Sequence, residues 1–136
     1  IERAALDWLM TMSLQKMYER FSNLRIVSVE NGSSFLPDLF RKLPQQKNKL
    51  MGWFKEDPLE LFKEHVWINP FWEDDPYEVA DLMGPDRVVF GSDWPHIEGM
   101  PAPLDYVMEL KEFSIDDQKK ILLDNVSALN EPRPLR

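Results

Sequence analysis

The sequence predicts an α/β fold in which parallel strands alternate with helices. Three observations carry this. Short apolar runs near residues 25–29, 66–71 and 87–91 read as strands. Longer segments with helical spacing and helix start signals separate them, and strands joined through helices pair in parallel with right-handed crossovers. No Asn-Gly hairpin joins two strands; Asn31-Gly32 leads into a helix instead. Three strands make a thin sheet with two open edges, which natural proteins avoid, so the 136 residues read as one partial domain of a larger sheet or barrel.

The first helix is expected from about Ala4 to Phe21, where Ala5, Trp8, Leu9, Met12, Met17 and Phe21 recur near helical spacing and face the core. After the β-branched run from Leu24 to Val29, Ser33 or Ser34 can cap the next helix, with Pro37 in its first turn. Pro44 and the polar run from Gln45 to Lys49 are expected to interrupt or bend that helix. Asp57-Pro58 starts another, running to about His65, and Asp75-Pro76 starts a further one that Gly84 stops. A helix from about Leu104 to Phe113 follows the loop from Ser92 to Pro103. Ser114 with Asp117 resembles a capping box for the last helix, to about Leu129. The tail, residues 131–136, holds two prolines and is expected to fray.

Composition narrows function by exclusion. A net charge of −8 repels phosphate backbones and anionic lipid, which argues against a nucleic-acid or membrane partner. No apolar stretch approaches the length of a transmembrane helix. With no cysteine, disulfides and thiolate metal sites are excluded, and the expected location is the cytoplasm. Only His65 and His96 can act as imidazole ligands. The chain begins at Ile1 within what reads as a helix, so a processed or truncated chain is expected.

The run Arg87-Val88-Val89-Phe90-Gly91-Ser92-Asp93-Trp94-Pro95-His96 holds the most chemistry. An acid and a histidine follow a buried strand where it leaves its sheet, which is where α/β proteins place their chemistry. Asp93 there can bind a metal, accept a proton, or simply cap the turn.

At Gly91 to His96 the chain resembles the amidohydrolase superfamily, in the branch of metal-dependent hydrolases and decarboxylases that includes aminocarboxymuconate-semialdehyde decarboxylase. Arg25 to Gly32 resembles that family's sixth strand, Val66 to Phe71 its seventh, and Lys120 to Leu129 its terminal helix. The resemblance implies the C-terminal portion of a (β/α)8 TIM barrel. It also implies a divalent metal, zinc by expectation, held only by the complete protein, because the family's other histidine ligands would precede Ile1. Asp93 is then metal ligand and proton acceptor, and His96 a proton-transfer or substrate-orienting group. Glu30 stands where relatives often carry histidine and is either a metal ligand or the partner of an arginine. Asn31 binds substrate or ties down its turn, and Trp72 and Trp94 wall an apolar pocket or pack between helices. Glu73-Asp74-Asp75 reads as a helix cap before it reads as a metal cluster, and His65 as structural.

The implied function is a hydrolase or decarboxylase acting on a small carboxylated or cyclic molecule. The rival is a non-catalytic barrel fragment or pseudoenzyme serving as a binding or assembly module, its open strand edges covered in a homo-oligomer or by a partner chain. A flavodoxin-like domain would need a Gly-rich phosphate loop, and none is found.

Overall fold

The computed structural model describes residues 2–132. Two short parallel strands, β1 (Ile26–Ser28) and β2 (Val66–Ile68), pair in register with Ile26 opposite Val66 and Ser28 opposite Ile68. Helices surround them: α1 (Glu2–Leu14), α2 (Met17–Arg20), α3 (Leu36–Lys49), α4 (Pro58–His65) and α5 (Pro76–Met83). A 3-10 turn (Pro85–Arg87) follows, then a 3-10 helix (Pro103–Met108). The chain closes with α6 (Ile115–Lys119), a π-helical segment (Lys120–Asp124) and α7 (Asn125–Asn130) in continuous succession. Leu9, Leu39, Leu43, Phe62, Ile68, Val88 and Ile121 share one buried core, so helices from both ends of the chain pack on the same strands.

The expected third strand, 87–91, shrinks to a single parallel bridge between Val88 and Ile68. Arg87 belongs to the preceding turn, and the terminal helix takes the place of a neighbouring strand. Phe90 N–H donates to the Ile121 carbonyl at 3.1 Å, and Asn125 Nδ2 donates to the Val88 carbonyl at 2.7 Å. The π segment widens the helix at that point, as Asn125 N–H bonds back to the Lys120 carbonyl. One of the two edges expected to be open is therefore covered from within the chain. β1 and β2 are likewise shorter than the expected runs, because pairing ends where Asn69 N–H closes onto the Ser28 carbonyl and Pro70 follows.

Helix starts follow the sequence where a side chain caps them. Asp57 accepts from Leu59 and Glu60 N–H, Asp75 from Tyr77 N–H, and Ser114 from Asp117 N–H. Ser33 and Ser34 do not cap α3. Ser33 Oγ donates to Asp74 and Ser34 Oγ to Glu2, so tertiary partners draw both hydroxyls away. Pro44 does not interrupt α3, whose Leu36, Leu39 and Leu43 are held in the core on the turns before it.

The single helix expected from Ala4 to Phe21 breaks after Leu14. Lys16 turns left-handed (φ 57°) and its ammonium binds the Trp53 carbonyl at 3.0 Å. Of the expected core stripe, Ala5 and Leu9 are buried while Trp8 and Phe21 are half exposed. The segment expected as a helix from Leu104 to Phe113 is a 3-10 helix ending at Met108. Of the tail, Glu131 and Pro132 lie past the end of α7, and residues 133–136 lie outside the described residues.

Candidate active site

Glu30 and Asp93 each follow a strand, and each adopts the left-handed conformation (φ 57° and 54°) that side chains other than glycine rarely take. Such positions cost on the order of 1–3 kcal/mol and persist where the surrounding structure holds them. The loop beyond Asp93 closes tightly on itself. His96 N–H donates to the Asp93 carbonyl at 2.8 Å and Met100 N–H to the Ser92 carbonyl at 2.8 Å, while Met100 itself is buried. Gly99 is obligatory in this loop, because a Cβ there would stand 2.5 Å from the Asp93 carbonyl oxygen.

Between these corners lies an open cleft of about 420 Å3, lined by Glu30, Phe71, Trp72, Glu73, Gly91, Ser92, Asp93 and Glu98. Four of its lining residues are acids, and none is lysine or arginine. Burial raises the Glu30 carboxyl above its ordinary value, and the negative charge of Asp93 adds to this. His96 works in the opposite direction. The imidazole stands beside Asp93, Nδ1 to Oδ2 at 3.2 Å. The cleft thus brings carboxylates together under electrostatic pressure, which a cation or a shared proton relieves.

Of the residues singled out from sequence, Glu30, Trp72 and Asp93 line this cleft, with His96 on its rim through Asp93. Trp72 is held by its indole N–H on the Glu98 carbonyl at 3.0 Å. Trp94 is two-thirds exposed and is not a lining residue. Asn31 points elsewhere: its Nδ2 donates to the Val29 carbonyl at 2.8 Å and to Ser28 Oγ at 3.3 Å, tying down the turn. The acidic triplet is divided among separate tasks. Glu73 lines the cleft, Asp74 accepts from Phe71 N–H and Ser33 Oγ, and Asp75 caps α5. His65 is buried away from the cleft, its Nδ1–H donating to the Leu24 carbonyl at 2.6 Å and its ring stacked on Tyr18.

Sequence reasoning missed Phe71 and Glu98 as lining residues, and it missed Asn69, which lies against Gly91 of the lining. Phe71 follows β2 as Asp93 follows the third strand, a parallel visible in the strand spacing. Glu98 is brought in by the closure of the loop on Gly99, which no local pattern announces.

A catalytic tetrahedral metal site takes about three protein ligands and leaves one position open. Among the described residues no three histidines or acids stand together as a candidate metal group. The donors of this chain alone therefore do not make up the divalent site that the resemblance implies, and Asp93 and Glu30 remain carboxylate donors on one wall.

Parallel strands joined through helices, with Glu30 and Asp93 beyond the carboxyl ends of two of them, fit part of an α/β barrel. The sequence model of the family described as amidohydrolase matches residues 2–129, and the chain belongs to that family. It is similar to the crystal structure of an amidohydrolase from Mycobacterium avium subsp. paratuberculosis K-10, at 41% identity and a TM-score of 0.91. That match covers 94% of this chain and 33% of the other, so the chain spans about a third of the length of the structure it matches. No curated protein matches.

Proposed function

We propose that the complete protein is a metal-dependent hydrolase or decarboxylase acting on a small carboxylated or cyclic organic molecule, and that this chain supplies one wall of its active site. The observation that carries the reading is Asp93, set at the end of the third strand and facing the same cleft as Glu30. In this reading Asp93 takes the proton of the attacking water at its carboxylate, and His96 steadies or relays it across 3.2 Å. Phe71 and Trp72 supply apolar surface for the substrate, and Glu30 meets either a cation or an arginine from outside the chain. A divalent metal, zinc by our expectation, supplies water activation and polarises the scissile group when ligands beyond this chain complete its site.

The acidity of the cleft bears on substrate choice. A carboxylated substrate facing four acids needs a cation between, whereas a neutral cyclic ester or amide does not. Location in the cytoplasm and a small-molecule partner belong to the same proposal; the acidic charge disfavours nucleic acid as the partner, and no helix among the described residues is long and apolar enough to cross a membrane.

The test is Asp93→Asn in the complete protein. Turnover should fall by several orders of magnitude with the melting temperature preserved; turnover equal to the parent rejects the reading. An assembly module is the second reading, favoured by one observation. An open groove beside the outer edge of β1 is lined by Ala4, Ala5, Trp8 and Val27, apolar surface that a partner element would cover. One tightly held divalent ion per complete chain would count against a purely structural role.

A further inference from the structure

The side chain of Asn69, at the end of β2, is buried (3% exposed) directly beneath the corner that carries Asp93. Its backbone N–H donates to the Ser28 carbonyl of β1 at 2.9 Å. Its Nδ2 donates to the Val89 carbonyl at 3.3 Å and to the Pro70 carbonyl at 3.2 Å. One residue thereby joins all three strands where they reach the cleft. Asn125 holds the third strand one residue earlier, at Val88, so Asn69 is the last side-chain anchor before the Gly91-Ser92-Asp93 turn.

Two further facts separate Asn69 from an ordinary core amide. Its Oδ1 is buried and has no hydrogen-bond partner, an arrangement that costs stability and that an apolar residue of similar size would avoid. The main chain also passes over the amide in contact: a Cβ on Gly91 would lie 3.0 Å from both Nδ2 and Oδ1, tighter than ordinary packing allows. Glycine is what lets the strand rest on the carboxamide, and the carboxamide sets the height from which Asp93 departs two residues later. We infer that Asn69, packed against Gly91, is the positioning residue for Asp93. The inference rests on Asp93 being the reactive carboxylate.

The experiment uses the complete protein as isolated, with Asn69→Ala, Gly91→Ala and the double variant. Crystal structures report the position of Asp93, and hydrolysis of 4-nitrophenyl acetate reports kcat and KM. Asn69→Ala should melt near the parent yet let the corner shift. kcat should fall on the order of 100-fold, as for a displacement of about 1 Å, with KM little changed. Gly91→Ala should displace the same corner by collision, and the double variant should do no worse than Asn69→Ala, because the collision is then gone. An unmoved Asp93 with parental kcat in both single variants overturns the inference, as do losses that multiply in the double variant. If Asn69→Ala fails to fold, Gly91→Ala decides alone: a displaced Asp93 supports the pairing and an unmoved one overturns it. If the parent shows no hydrolysis of this ester, the crystal positions decide this inference; if the parent turns over its own substrate and Asp93→Asn matches it, the proposed function fails separately.

Discussion

Glu30 shows how a position's chemistry follows from its neighbours rather than its type. An exposed glutamate is an ordinary carboxylate; this one is drawn toward a cleft and faces Asp93, and both burial and that charge disfavour its ionised form. Where the folded-state value lies above the unfolded one, stability is full below about pH 4.5 and declines as pH rises through the folded value. Removing the neighbouring charge should lower the Glu30 titration midpoint while leaving it above the ordinary value, because burial is the larger cause. Carbon-detected titration of metal-free Asp93→Asn protein checks this, and an unchanged midpoint would mean the two carboxyls do not sense each other. Asp93 and Glu30 were both legible from the sequence, each as an acid closing a β-branched run. The sequence allows Asn31 two tasks, binding substrate or tying down its turn, and the structure gives it a backbone partner outside the cleft.

Helix α4 illustrates a start written in the chain. Asp57 presents its carboxylate to two N–H groups of the first turn, and Pro58 lacks the N–H that would otherwise go unsatisfied. Burial works to raise the Asp57 carboxyl, but the Lys47 ammonium and the two N–H donors overcome it and hold the group below its ordinary value. The stabilisation is thus present above about pH 3.8 and is lost as pH falls through the lowered folded-state value. Asp57→Ala should cost about 1 kcal/mol in urea unfolding at pH 7, and the difference from the parent should vanish in strong acid. A difference that persists there would place the effect in packing instead. The third strand shows the opposite case. Its hydrophobic run reads as a strand, yet it keeps only one bridge to Ile68, and the Val88 carbonyl and Phe90 N–H bond to a helix more than thirty residues on, through Asn125 and the Ile121 carbonyl. Strand extent depends on partners, and partners are set by topology.

Considered whole, the molecule is closed on the side of the terminal helix and open beside β1. That open side presents Trp8, about half exposed, above the unpaired edge of Ile26 and Val27. A free edge with apolar residues alongside is a template for further pairing. The isolated 136-residue chain should therefore self-associate as its concentration rises, and Trp8→Lys should reduce this. Sedimentation velocity reads the outcome; a monomer at every concentration would mean the edge is already protected. Alternation of strand and helix, the capped helix starts and the acid at the end of a buried run are local matters of side-chain volume, hydrogen-bonding reach and backbone preference, and the residues alone announced them. The break at Lys16, the uncapped start of α3, the covering of the third strand and the seating of Gly91 on Asn69 rest on groups far apart in the chain. Their energies exist only once distant segments meet, so folding and not local pattern decides them.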